Sequence, residues 1–294
     1  MIKEFAIEPE FFQSWERIRY IDEKFGASNG RLISKYPGNW IELVYENLND
    51  FPPMLKKRCE VKLGLMKTNK KIVNSFRQFN REKSWINNAV EIHYLKPFNG
   101  IIGLLNQNNV SYVLTNEDLD EENEIFRVNK SMQILREPST IADSIMPLLL
   151  HSKDIIFIDP HFEKLKPRHI RPLLEIIDRL ARLSTKNQYS IKYFTGNSVE
   201  KTVFCHNLKN YLEIKLPINS ELKICRCPID IMHNRFVLTD IGGISFSQGL
   251  DDNDSGHSVL KDDISLLDTN HWKTKMIEYN NFQVEETYIV KRKF

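Results

Sequence analysis

The residues best suited to chemistry fall in one stretch, His233-Asn234-Arg235-Phe236-Val237-Leu238-Thr239-Asp240. In an extended chain residues two apart share a face. A strand over Met232 to Asp240 is therefore expected to present His233 and Arg235 side by side and to turn Phe236 and Leu238 to the buried side. An imidazole beside a guanidinium suits phosphoryl transfer: the imidazole is a nucleophile near neutral pH, and the guanidinium clamps the equatorial oxygens. Asp240, at the far end of the stretch, is read as the carboxylate that orients one or the other.

A second imidazole is available at His161, which follows the apolar run DIIFIDP (Asp154 to Pro160). Ligands of open α/β sheets collect at the C-terminal ends of strands. His161 is thus either the proton donor in cis or a strand-terminal histidine bonded to backbone. Beyond it, Lys164, Lys166, Arg168, His169 and Arg171 form the densest basic run and lead into a helix. Cations at a helix start join its free N–H groups in holding phosphate, so Lys164, Lys166, Arg168 and Arg171 are expected to bind phosphate with Arg235; the bland alternative is a solvated loop.

Other groupings carry less. Cys225 and Cys227 share a face of their strand near His233, but no CxxC pair accompanies them, and reduced cysteines pack as small apolar groups. Asp251, Asn253, Ser255, Gly256 and Asp262 imitate a calcium loop that lacks its terminal Glu. Glu213-Ile214-Lys215 matches the ExK of metal-dependent nucleases by a pattern that chance readily produces. No metal or cofactor is expected.

The elements that must position these residues divide into two halves. Residues 1–137 read as a mostly helical domain: Phe11, Trp15, Ile18, Ile21 and Phe25 recur at helical spacing, and further helices are expected at Trp40 to Leu48, Pro53 to Met66 and Lys70 to Phe79. Two short strands follow, at Ile101 to Leu105 and Ser111 to Thr115. From residue 138 to 294 the pattern becomes α/β. A capping box at Thr140 and Asp143 opens a helix to Leu150; the strand DIIFIDP follows, then a helix led by Pro172, a strand at Ser190 to Thr195, a helix at Val203 to Leu212 and a strand at Leu222 to Cys227. The site strand comes next, joined across Gly242-Gly243 to Ile244 to Ser247.

Composition bounds the partners. Of 294 residues, 41 are Lys or Arg and 39 Asp or Glu, so the formal charge is +2 and a phosphate site must rest on a local cluster. Four cysteines and an N-terminus without a signal pattern predict reduced thiols in the cytoplasm, and no apolar run approaches the roughly 18 residues of a membrane span.

The spacing His233, Arg235, Asp240 resembles the HxKxxxxD motif of the phospholipase D superfamily, with Arg235 in place of the lysine, and the order of elements agrees with that fold. The resemblance implies that the motif histidine attacks phosphorus to form a phosphohistidine and that the histidine of a second motif protonates the leaving oxygen. With one motif in the chain, it implies a homodimer joining two His233 residues across a two-fold axis. By analogy with single-motif restriction nucleases it implies bacterial, antiviral defence acting on nucleic acid. The longer stretch HNRFVLTDIGGISFSQGLD, closing on Gly249-Leu250-Asp251, resembles the C-terminal phospholipase-D-like domain of eukaryotic MIT-domain proteins and bacterial proteins of the same two-part layout. That domain is regarded as a phosphoinositide binder, which implies the competing reading: a non-catalytic module that holds nucleic acid, a lipid headgroup or a partner protein.

Overall fold

The computed structural model describes residues 1–183, 189–211, 221–253 and 260–291, and the chain forms two compact units, Met1–Lys130 and Ser131–Phe294. Both are α/β. The division falls after Lys130 because the next residues form a strand paired within the second unit; Glu137-Pro138, the expected boundary, marks the start of a helix instead.

The first unit holds strands β1 (Lys3–Ile7), β2 (Arg31–Lys35), β3 (Ile72–Asn74), β4 (Gly100–Ile102) and β5 (Val113–Leu114) in a parallel sheet of order β3-β2-β1-β4-β5. Helices α1 (Trp15–Lys24), α2 (Trp40–Glu46), α3 (Pro53–Thr68) and α4 (Trp85–Leu95) connect the first four strands. α1, α2 and α3 bury Ile18, Ile21, Trp40, Val44, Leu63 and Met66 on one face of the sheet, and α4 buries Trp85 and Ala89 on the other. The expectation of a mostly helical half located α1, α2, α3 and the region of β4 and β5 but missed the sheet's centre. β1 and β2 are five-residue strands flanked by charge, and the helix expected over Lys70 to Phe79 is β3.

The second unit contains β6 (Ser131–Leu135), α5 (Pro138–Leu149), β7 (Asp154–Ile158), α6 (Pro167–Leu183), β8 (Ser190–Thr195), α7 (Lys201–Tyr211), β9 (Glu221–Arg226), β10 (Phe236–Thr239), β11 (Gly243–Phe246), β12 (Lys261–Leu266), α8 (Thr269–Asn280) and β13 (Glu286–Lys291). They build one mixed sheet of order β13-β9-β8-β7-β10-β11-β12-β6, in which β7, β8 and β9 run parallel and β10 runs against β7. β7, β10 and the inner half of β8 are covered on both sides, which is why they read as continuous apolar runs. Trp272 of α8 donates from its indole to the Thr239 carbonyl at 2.9 Å, and Tyr279 packs with Phe194.

Two helix starts differ from expectation. α5 opens on Pro138 with no side-chain cap, and Asp143 pairs with Arg179 instead. α6 begins at Pro167, so Pro172 lies inside it. A proline has no N–H for the carbonyl four residues back. That carbonyl, on Arg168, accepts the Asp252 amide at 2.9 Å, so the proline gives a distant loop its docking point.

Candidate phosphate site at one edge of the second sheet

The parallel strands β7, β8 and β9 deliver their C-terminal ends to one edge, and antiparallel β10 begins at the same edge because Phe236 pairs with Ile158. The segments carrying His161 and His233 to Arg235 are thereby neighbours. The strand itself starts only at Phe236; His233 and Arg235 precede it in a stretch that leaves the turn Ile229–Ile231. Met232 and Phe236 anchor that stretch in the core with Cys225 and Cys227. Asn234 hydrogen-bonds Tyr279, whose phenol is pushed above its ordinary value by burial. His233 is exposed and Arg235 half-buried. Among the described residues no hydrogen bond or ion pair holds the His233 ring.

Arg235 lies against the segment Gly249-Leu250-Asp251. A methyl group at Gly249 would stand 3.4 Å from Arg235 Cδ and 3.0 Å from a carboxylate oxygen of both Asp159 and Asp251, and φ at Gly249 is +141°, so only glycine lets the chain pass. Asp159 is buried at the end of β7 and accepts the amides of His161 and Leu250, each at 2.9 Å. Burial raises its carboxyl pKa, the two amides oppose that rise, Asp251 adds to it and Arg235 counters it. Arg235 Nε is buried without a partner among the described residues, the one unsatisfied donor at the centre of the group.

The basic run splits in two. Lys164 and Lys166 are exposed and carry no ion pair among the described residues. Arg168 meets Asp251 at 3.4 Å, and Arg171 grips the buried Asp252 with two bonds of 2.6 Å each. Asp251 also pairs with Arg136. The expectation that all four cations of the run are free for phosphate is therefore corrected: two are already bound to carboxylates. His169, within the run, is buried; its Nε2 faces Arg168 Nε at 3.3 Å and its Nδ1 has no partner among the described residues. Burial first, then Arg168, Lys164 and His161, push its pKa down to about 4 against the pull of Asp251, so it is neutral at pH 7.

Asp240 lies elsewhere. It closes the opposite end of β10, where its carboxylate accepts the amides of Lys153 at 2.9 Å and Asp154 at 3.3 Å. The four residues of β10 lie between it and Arg235, and five steps of about 3.3 Å set the two roughly 16 Å apart, so it orients neither Arg235 nor His233. Asp262 binds the backbone amides of Ser247, Gln248 and Gly249 and thereby shapes the loop that meets Arg235, a structural role rather than a calcium one. Ser255, Gly256 and the Glu213-Ile214-Lys215 stretch lie outside the described residues. Cys225 and Cys227 are buried with their thiol pKa values raised, Cys227 to about 12, chiefly by burial, so both stay protonated. Among the described residues no group of three or more His, Cys, Asp or Glu could hold a metal ion, and no helix is long and apolar enough to cross a membrane.

The sequence pattern does not show Asp251 and Asp252 as the partners of Arg168 and Arg171, nor Arg136 as the second partner of Asp251. The adjacent acids Asp251-Asp252 and the proline inside α6 were the available signals. No protein-family model and no curated protein matches the chain. Among solved structures it is similar to TrmBL2, an archaeal chromatin protein described as showing a novel mode of DNA binding, at 11% identity over 90% of this chain and 78% of that one. The TM-score is 0.28, too slight a likeness to bear on fold or function.

Proposed function

We propose that the second unit is a phospholipase-D-like phosphodiesterase acting on nucleic acid in the cytoplasm without a metal ion. The observation that carries this reading is the antiparallel register of β7 and β10, which sets His161, His233 and Arg235 at one edge of the sheet; Lys164 and Lys166, which carry no ion pair among the described residues, follow His161. In this reading the His233 ring attacks phosphorus, a P–N bond forms as the P–O bond to the leaving nucleoside breaks, and the departing oxygen takes a proton from His161. Water then attacks the phosphohistidine, giving its proton to His161, and releases His233 with a phosphate monoester. Arg235 and the two lysines hold the phosphoryl oxygens as charge develops. His161 in cis replaces the second copy that a single motif otherwise requires. A role in antiviral defence rests on the motif resemblance alone.

The test incubates labelled single- and double-stranded DNA and RNA with the full chain in EDTA, alongside His233→Ala, His161→Ala and Arg235→Ala. Cleavage lost in both histidine variants, at a rate per molecule independent of protein concentration, supports the cis pair. Cleavage that survives His161→Ala but rises steeply with concentration assigns the second imidazole to another copy. Binding without cleavage that disappears in Arg235→Ala replaces the enzyme with a phosphate-binding module, and cleavage only on addition of magnesium sinks the imidazole chemistry.

A further inference from the structure

The first unit has a crevice of its own. The chain leaves β1 toward α1, whose Ile18 and Ile21 pack on one face of the sheet with Phe5 and Ile7. It leaves β4 through a segment whose Val110 and Tyr112 pack on the other face with Ala6 and Ile101. β1 and β4 are hydrogen-bonded neighbours, so their exits diverge between them, and such a switch point opens a ligand crevice outside the carboxyl ends of the two strands. A cavity of about 290 Å³ lies at that place. Its walls are Glu8 from the end of β1, Leu104 and Gln107 from beyond β4, and Ile86, Asn87 and Val90 from α4.

The lining sets the ligand's chemistry. Glu8 is its single charged residue. Its Oε2 accepts the Leu104 amide at 2.6 Å, which fixes the carboxylate, and its Oε1 makes no hydrogen bond among the described residues. Burial raises the Glu8 carboxyl pKa, with Glu10 adding to the rise and the Leu104 amide opposing it. Phosphates and carboxylates meet repulsion here with no cation to offset it, whereas an N–H or O–H donor meets a strong fixed acceptor. Ile86, Val90 and Leu104 provide aliphatic walls for a flat ring, and the amides of Asn87 and Gln107 pair donor with acceptor as a heterocycle edge does. Small-molecule pockets begin near roughly 300 Å³, so the space suits one compact ring system. We infer that this cavity binds an uncharged nucleoside, with a ring N–H or sugar hydroxyl donating to Glu8.

The experiment titrates the full chain with adenosine, guanosine, cytidine and uridine, and with their 5′-monophosphates, by calorimetry and saturation-transfer NMR. At least one nucleoside binds, its monophosphate binds about tenfold more weakly, and Glu8→Gln, which keeps an acceptor for the Leu104 amide but drops the charge, weakens the nucleoside by about tenfold. Val90→Trp fills the cavity and abolishes binding. Asn87→Trp, at an exposed helical position, does the same should Val90→Trp fail to fold, and circular dichroism verifies folding in each case. Silence from all four nucleosides at millimolar concentration overturns the inference. So does a monophosphate that binds as tightly as its nucleoside, or a folded filling variant that binds like the wild type. None of these outcomes depends on cleavage by the second unit.

Discussion

The pair Arg171 and Asp252 makes an asymmetric prediction. The Asp252 side chain is 2% exposed and that of Arg171 45% exposed, with both carboxylate oxygens taken by the guanidinium. Arg171→Ala strands a buried carboxylate with no other ion-pair partner among the described residues, and breaking a buried pair in this way costs about 3–5 kcal/mol. Asp252→Ala removes the same two bonds but leaves a guanidinium that water can reach, so its cost is about 1–2 kcal/mol after discounting for solvent. The docking bond from the Asp252 amide to the Arg168 carbonyl does not use the side chain and survives both changes. The two variants therefore differ by about 2 kcal/mol, some thirtyfold in the unfolding equilibrium. The chain has two units, so bulk denaturation mixes two transitions. Hydrogen exchange of the β7 and β10 amides under graded urea reads the second unit alone, and a double-mutant cycle gives the coupling. Equal costs, or a larger loss for Asp252→Ala, would show that the pair is solvated and that the loop after β11 is held by something else.

Further outcomes concern the same edge. His169 has an ordinary value of 6.5 lowered to about 4, so the unfolded chain binds a proton that the folded one refuses between those limits. Stability is accordingly full above pH 6.5 and falls as the buffer is acidified toward pH 4, by about 3 kcal/mol at most, and His169→Asn flattens that slope in urea titrations at pH 7 and pH 5. Gly249→Ala places a methyl group against two carboxylates at a positive φ and lowers the melting temperature by an amount corresponding to about 1–3 kcal/mol; an unchanged melting point would mean the loop has room to shift. Asp240→Asn leaves any cleavage rate within about twofold of wild type while costing about 1 kcal/mol of stability through weakened bonds to Lys153 and Asp154; a rate loss as large as that of His233→Ala would return Asp240 to the site.

What was legible in the chain follows from how its strands are covered. DIIFI reads as a strand because β7 is buried on both faces, and the alternation of elements from β7 to β11 follows from runs of that kind. KEFAI and RLISK hide as strands because each begins with a cation whose partners lie far along the sequence. Lys3 donates to the Glu124 and Ile125 carbonyls, while Arg31 is buried over the Phe126 ring and paired with Glu121. Ile72, Phe76 and Phe79 imitate helical spacing, but Phe76 sits at φ 51° and 62% exposed, where no helix continues. At the site, the expected strand over Met232 to Asp240 shortens to β10, so His233 and Arg235 lie ahead of it, and the same spacing contains the error about Asp240. A strand long enough to separate Arg235 from Asp240 must deliver them to opposite ends of the sheet, so the motif's acid could not be a partner of its own cation.

The near-neutral total hides a local balance of cations and acids. A total of 41 basic against 39 acidic residues allows a local basic patch, and the run from Lys164 to Arg171 is where the sequence places one. Pro172 withholds an amide from the Arg168 carbonyl, the Asp252 amide takes its place, and the two acids that arrive with that loop engage Arg168 and Arg171. A single proline thus turns half of an expected phosphate clamp into a structural lock. Of the five cations expected at phosphate, Arg235, Lys164 and Lys166 carry no ion pair among the described residues, with Asp159 close to the first. Three phosphate contacts give a salt slope of about −2 to −3 on a logarithmic scale, against −5 or steeper for a protein that grips a duplex through six or more. Measuring retention of single-stranded DNA from low to physiological salt tests this directly: a slope of about −3.5, as five contacts to a single strand give, would mean that Arg168 and Arg171 release their carboxylates when nucleic acid arrives, and that the lock is a switch.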